Sequence, residues 1–163
     1  MSTVAVLNIR PATVADAGLI LHFIRELAIY EKAEHSVQTD EIGIAESLFG
    51  ADATARALIC EVDGEAIGYA VYFYNYSTWL GRKGIYLEDL YVSQEKRGAG
   101  AGKALLKYIA RQAVAEGCGR FEWSVLDWNT PAIEFYTAAG ATPQDEWTVY
   151  RLQGQALHDF ANG

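Results

Sequence analysis

The run IYLEDLYVSQEKRGAGAGKALLKYIARQAVAEG, residues 85–117, followed by RFEWSVL, constrains the fold of this chain more than any other stretch. An apolar, β-rich segment leads into a loop with glycines at 98, 100 and 102. A helix-periodic run then places Leu105, Leu106, Ile109, Ala110 and Ala113 on one side and is expected to stop near Gly117, before RFEWSVL reads as another strand. Strand, helix, strand in that order implies a parallel pair joined by a right-handed crossover. The glycine loop therefore falls at the carboxyl end of a parallel strand, where open sheets hold their ligands.

Spacing narrows what the loop can hold. A dinucleotide fingerprint needs a glycine three residues after its second one, and that position is Lys103. A P-loop needs four residues between its glycines and a Ser or Thr after the Lys, whereas Gly98 and Gly102 enclose three and Ala104 follows Lys103. What remains, R-G-A-G-A-G opening a helix, supplies close backbone approach and N–H groups at a positive dipole end, which suits a phosphate; a flexible Gly/Ala turn without ligand is the alternative. Charge supports the phosphate. Residues 93–111 carry five basic side chains (Lys96, Arg97, Lys103, Lys107, Arg111) against Glu95, so with a net charge of −8 the remainder carries −12. That remainder argues against nucleic acid, which needs a broad basic footprint, and favours cationic partners.

The rest of the chain reads as mixed α/β, of the α+β type. Ala5 to Arg10 is an expected strand stopped by Pro11. Thr13 and Asp16 resemble a capping box before a long helix with Leu19, Ile20, Phe23, Ile24 and Leu27 at helical spacing. Thr39 is the expected cap of a second helix carrying Ile42, Ala45, Leu48 and Phe49 and stopped by Gly50. ARALICEV and EAIGYAVYFYNY, joined by Asp63-Gly64, read as an antiparallel hairpin, with STWLGRKG as the following loop. In DWNTPAIEFYTAAGA, Asn129 or Thr130 caps a short helix that carries Tyr136 and ends at Gly140. At 163 residues with 51% hydrophobic composition, one domain, 1–163, is expected. Cys60 and Cys118 match neither a disulfide framework nor a metal spacing, so no metal is expected and a reducing cytoplasm fits. The opening MSTVAVLNIR lacks the features of a signal peptide and the apolar runs are too short to span a bilayer, so neither secretion nor a membrane partner is expected.

Within IYLEDLYV, strand alternation sends the adjacent carboxylates Glu88 and Asp89 to opposite faces, leaving one of them a candidate for burial. A carboxylate there serves either an ion pair or sheet edge, or chemistry; Tyr136 likewise is either core or a proton donor.

IYLEDLYVSQEKRGAGAGKALL followed by WNTPAIEFYTAAGA resembles the GNAT acetyltransferase superfamily, whose cofactor loop [Q/R]-x-x-G-x-[G/A] is matched by Arg97, Gly100 and Gly102. IRPATVADA, LAIYEKAE, YSTW and YLED extend the resemblance to the diamine acetyltransferase branch, which holds the spermidine/spermine and thialysine enzymes. The resemblance implies a mostly antiparallel sheet with flanking helices and a splayed parallel strand pair that takes acetyl-CoA. It places the pantetheine along Leu90, Tyr91 and Val92, and the pyrophosphate on the amides of Gly98, Ala99, Gly100, Ala101, Gly102 and Lys103 beside Arg97, with further contacts from Asn129 and Tyr136. It implies Tyr136 as general acid, Glu88 as base acting through water with Asp89 in reserve, an acceptor site of Tyr30, Glu31, Glu88, Glu122 and Trp123, and a homodimer.

The chemistry agrees. An amine of pKa ~10.4 must lose a proton before it can attack a thioester, and the departing thiolate benefits from a donor. The apolar strand around Glu88 is expected to raise its pKa. Where the spermidine/spermine enzymes have Asp-Pro-Trp, this chain has Ser77-Thr78-Trp79 and one more residue before YLED. That difference resembles the thialysine side and implies a compact diamine or lysine-like acceptor. Other classes remain open: a noncatalytic acyl-CoA-binding module, an acetyltransferase for protein or peptide amines, and an interaction domain presenting YAVYFYNYSTW.

Overall fold

The computed structural model describes residues 6–163, which divide into two compact units, one ending at Ser124 and one covering Val125–Gly163. The first holds a five-stranded sheet of order β1(Leu7–Pro11), β2(Ala55–Val62), β3(Glu65–Ser77), β4(Arg82–Val92) and β5(Phe121–Trp123). The first four strands pair antiparallel and β4 with β5 parallel, which is the mixed arrangement expected from the sequence. Pro11 is the last residue of β1 rather than the one after it, a position tolerated because β1 lies at the sheet edge. Ala5, the expected start of this strand, lies outside the described residues.

The β2–β3 hairpin turns at Asp63 (φ 51°) and Gly64 (φ 82°), the left-handed pair that a tight two-residue hairpin requires. STWLGRKG is not a loop throughout: Ser77 pairs with Arg82, and only 78–81 turn, with Gly81 N–H donating to the Ser77 carbonyl at 2.9 Å. β4 therefore starts three residues before Ile85.

Side-chain alternation gives each face of the sheet its own layer. Ala57, Ile59, Tyr69, Val71 and Tyr91 meet α1(Ala17–Tyr30) and α2(Glu41–Phe49) through Ile20, Phe23 and Ile44. The intervening residues Leu58, Cys60, Ala70 and Tyr72 are also buried, and α3(Ala101–Ala115) packs on the sheet with Leu105, Leu106, Ile109 and Ala113 buried. α2 departs from expectation in two details. Its cap is Asp40, whose carboxylate accepts from Gly43 N–H at 2.7 Å, not Thr39, and its buried residue is Ile44, with Ile42 exposed. The Asp40 side chain stands one residue nearer the free N–H groups of the first turn.

The Thr13–Asp16 pair forms as expected and gains a partner. Asp16 accepts from Thr13 N–H at 2.8 Å and receives a two-pronged contact from Arg10 at 2.8 and 2.9 Å, tying β1 to the start of α1. The Arg10 guanidinium holds the Asp16 carboxyl at about 2, below its ordinary 3.8. A depressed carboxyl stabilises the fold above the unfolded pKa and loses that contribution as pH falls from about 4 towards about 2, which amounts to about 2 kcal/mol. Urea unfolding should show Asp16→Asn less stable at neutral pH and flatter than wild type across that acid window; parallel curves would contradict the pairing.

Candidate active site at the parting of two strands

The parallel pairing of β4 and β5 covers only Ile85↔Phe121, Tyr86↔Glu122 and Leu87↔Trp123. RFEWSVL thus contributes a shorter strand than its composition suggests. The end of this pairing coincides with an irregularity in β4. Tyr72 of β3 faces Leu87, but Val71 faces Asp89, so Glu88 is an extra residue, a β-bulge. After it, Leu90, Tyr91 and Val92 pair with β3 alone, and β5 has ended. The strand edge that the sequence resemblance assigns to pantetheine is therefore one without a β5 neighbour.

The bulge also breaks the expected alternation. Asp89 follows Val71 to the α1 side, while Leu87 follows Tyr72 to the opposite side. The carboxylate turned inward is Asp89, half-buried, while Glu88 is exposed. Burial raises the Asp89 carboxyl above its ordinary value, partly offset by Tyr69 Oη, which donates to Asp89 Oδ2 at 2.5 Å. Tyr69 is wholly buried, stacked on Phe23 with ring centroids 5.5 Å apart, and its own hydroxyl is pushed up by burial and by Asp89. Tyr69, whose hydroxyl meets Asp89, is a residue that the sequence did not single out, because one bulge at Ile67 lies between it and the Asp63-Gly64 turn and another at Glu88 lies between its partner strand position and the turn at 78–81.

Glu31, just past the end of α1, joins this group: burial and then the nearby Asp89 charge raise its carboxyl. Two neighbouring carboxyl groups, both raised mainly by burial, form a place where a cation relieves the cost of ionising them. Tyr30 beside it lies under Arg97, whose guanidinium carbon is 4.7 Å from the ring centre. Glu122 is engaged differently, with Arg120 Nε at 3.0 Å and Asn75 Nδ2 at 3.4 Å, and Trp123 packs edge-on against Phe121. Several other acidic side chains near the N-terminus have structural work: Asp16 and Asp40 at helix starts, and Glu26 beside His22 at 2.8 Å.

The glycine loop behaves as its composition suggests. Gly98 (φ 96°) and Gly100 (φ 81°) adopt the left-handed region, and Gly100 is the N-cap of α3, leaving the first-turn N–H groups of Ala101, Gly102 and Lys103 for an outside acceptor. No side chain caps this helix start. In the second unit, α4(Thr130–Ala138) carries Tyr136, which meets Phe135 edge-on, and Asn129 caps it by accepting from Ala132 N–H at 3.4 Å; α5(Gly154–Asn162) is the last helix of that unit. No cluster of metal-ligating side chains occurs among the described residues.

Comparison with known proteins places this geometry. Residues 22–141 match the family model described as Acetyltransferase (GNAT) family. The chain is 40% identical to thialysine N-epsilon-acetyltransferase of Sus scrofa over 164 residues, covering 94% of this chain and 96% of that protein. It is 31% identical to L-ornithine N5-acetyltransferase of Arabidopsis thaliana, covering 92% and 86%. Among solved structures, an integron cassette protein from V. cholerae superposes with a TM-score of 0.80 at 26% identity, covering 96% of this chain and 98% of that one.

Asp89 gives the site a measurable signature. A carboxyl whose folded pKa is raised destabilises the fold once ionised, so this contribution to stability falls as pH rises from about 4 through the raised value. Asp89→Asn keeps an acceptor for Tyr69 and should reduce that fall, also by relieving Glu31. Unfolding free energies measured from pH 4 to 8 test it, and unchanged pH dependence in the variant would contradict the burial of this charge.

Proposed function

This chain belongs to the GNAT acetyltransferase family, and on that premise we propose that it moves the acetyl group of acetyl-CoA to a primary amine of a small cationic acceptor, by direct attack within a ternary complex. The enzyme class follows from the family and from curated acetyltransferases about 40% identical over most of the chain. The observation that carries the site reading is the early end of β5 opposite the bulge at Glu88, with the glycine loop at the end of the same strand. The freed edge Leu90–Val92 suits an amide-bearing pantetheine arm. The amides from Gly98 to Lys103 at the positive end of α3, within the basic island that includes Arg97, suit a pyrophosphate.

In this reading Glu88 accepts the proton of the acceptor ammonium through water, and its exposure is consistent with a relay to solvent. Tyr136, with Asn129 on the same motif, is assigned to the cofactor, and its hydroxyl is the donor to the departing thiolate. The acceptor lies among Tyr30, Glu31, Glu88, Glu122 and Trp123. The raised carboxyl of Glu31, with Asp89 behind it, supports a role in holding a second ammonium. Relatives named for thialysine, ornithine and spermidine/spermine all act on amine-bearing acceptors by their names, which supports the substrate class. Ser77-Thr78-Trp79 enters a tight turn and lacks the acid of the polyamine type, so the proposed preference is for a compact diamine or a lysine-like amine. The reading takes residues 1–163 as one catalytic domain, supported by a family match that runs across the division between the units. It also takes the protein as a cytoplasmic homodimer without nucleic-acid or membrane partners; no helix among the described residues is long and apolar enough to cross a membrane.

Thiol release from acetyl-CoA, with 1,3-diaminopropane, thialysine, spermine and a peptide amine at equal concentrations, should show turnover highest with the two compact acceptors. Preference for spermine or a peptide amino terminus would overturn the acceptor assignment. In the same assay Tyr136→Phe should lower turnover about 10²-fold while acetyl-CoA affinity is retained. Unchanged turnover would remove Tyr136 from the chemistry.

A further inference from the structure

Arg97 belongs to the cofactor motif by sequence, yet its side chain is committed elsewhere. Its Nε donates to the Val92 carbonyl at 3.1 Å, and its guanidinium carbon lies 4.7 Å from the centre of the Tyr30 ring and 5.7 Å from that of Tyr91. Tyr30 is the last residue of α1 and Tyr91 the penultimate residue of β4. Tyr91 is buried and its ring meets that of Phe23 of α1 with centroids 6.2 Å apart, so α1 is fastened to β4 at one point by Tyr91 and at its end by Arg97.

The turn after Tyr30 has an uncommon backbone shape. The chain closes α1 with Glu31 N–H on the Leu27 carbonyl at 2.8 Å and Ala33 N–H on the Ala28 carbonyl at 2.8 Å, and between them Lys32 adopts φ 59°. Glycine normally fills that place in a helix closure, and a lysine holds it only where the surroundings impose it. The orientation of the Tyr30–Glu31 turn is therefore fixed by its contacts more than by its own backbone preference, and the planar guanidinium over Tyr30 is one of those contacts.

We propose that Arg97 is a positioning residue that couples the two substrates. A phosphate held on the amides after Arg97 fixes the backbone next to it. Through the guanidinium stacked on Tyr30, it also fixes the turn that presents Glu31 to the acceptor amine. Coupling of this kind is reciprocal, so an amine at Glu31 tightens the cofactor by the same factor that the cofactor tightens the amine. The inference rests on the acetyltransferase reading above and goes beyond it in giving one side chain of the cofactor motif a task at the acceptor.

Calorimetry with CoA, which lacks the acetyl group and cannot turn over, tests this with and without saturating 1,3-diaminopropane. The wild-type protein should bind CoA about fivefold more tightly with the diamine present. Tyr30→Phe keeps the ring face and should keep that ratio. Tyr30→Leu should bring it close to one, and so should Arg97→Lys, which retains the charge and loses the planar group. A ratio unchanged in Arg97→Lys, or in a folded Tyr30→Leu, overturns the proposal, as does independent binding of CoA and diamine to the wild type. Absence of CoA binding to the wild type would overturn the acetyltransferase reading itself, and the coupling with it.

Discussion

Everything that distinguishes this structure from an ordinary sheet covered on both faces depends on one extra residue in one strand. Glu88 has no opposite number in the β3 register, and at that point β4 changes which of its side chains face α1. Parallel pairing with β5 stops at Leu87↔Trp123, just before the bulge, and the remaining residues of β4 keep only one neighbouring strand. Backbone N–H and C=O groups on a bare edge call for hydrogen-bonding partners. Here that edge runs straight into a glycine loop and a helix start with uncapped N–H groups, so an extended ligand with amides at one end and phosphates at the other meets suitable partners in order.

The same bulge determines the electrostatics. By turning Asp89 to the α1 side it places a carboxylate among Tyr69, Phe23 and Glu31, where burial disfavours the charged form and the Tyr69 hydroxyl offsets part of that cost. Negative charge thus gathers at the end of α1, while the positive charge of the chain gathers after β4. In the proposed reading a cationic acceptor would be drawn to the first of these parts and an anionic cofactor to the second; Arg97 stands with its guanidinium on Tyr30, at the end of α1.

Much of this was legible in the sequence, because the strongest signals were local. The Asp63-Gly64 turn, the glycine loop, the Asn129 cap and the strand–helix–strand order each depend on a few adjacent residues, and each is found. What the sequence did not reveal depends on distant partners. A bulge is a mismatch between two strands, so IYLEDLYV alone gives Glu88 and Asp89 an alternation that β3 then breaks. Tyr69 looks like one aromatic among many in YAVYFYNY until the register brings it to Asp89. The choice of Asp40 over Thr39 as a cap, and of Ile44 over Ile42 as the buried residue, turns on a rotation of α2 set by the layer it packs against.

The central claim, that the loop after β4 holds the phosphates of acetyl-CoA on its backbone, is tested most directly by calorimetry of Gly100→Asp. Gly100 has φ 81° and open space where a Cβ would stand, so the substitution strains one turn and adds a negative charge at the phosphate position without a clash against the protein. Acetyl-CoA affinity should be nearly lost while the circular dichroism spectrum is retained. A folded Gly100→Asp protein that binds acetyl-CoA as tightly as the wild type would contradict the account.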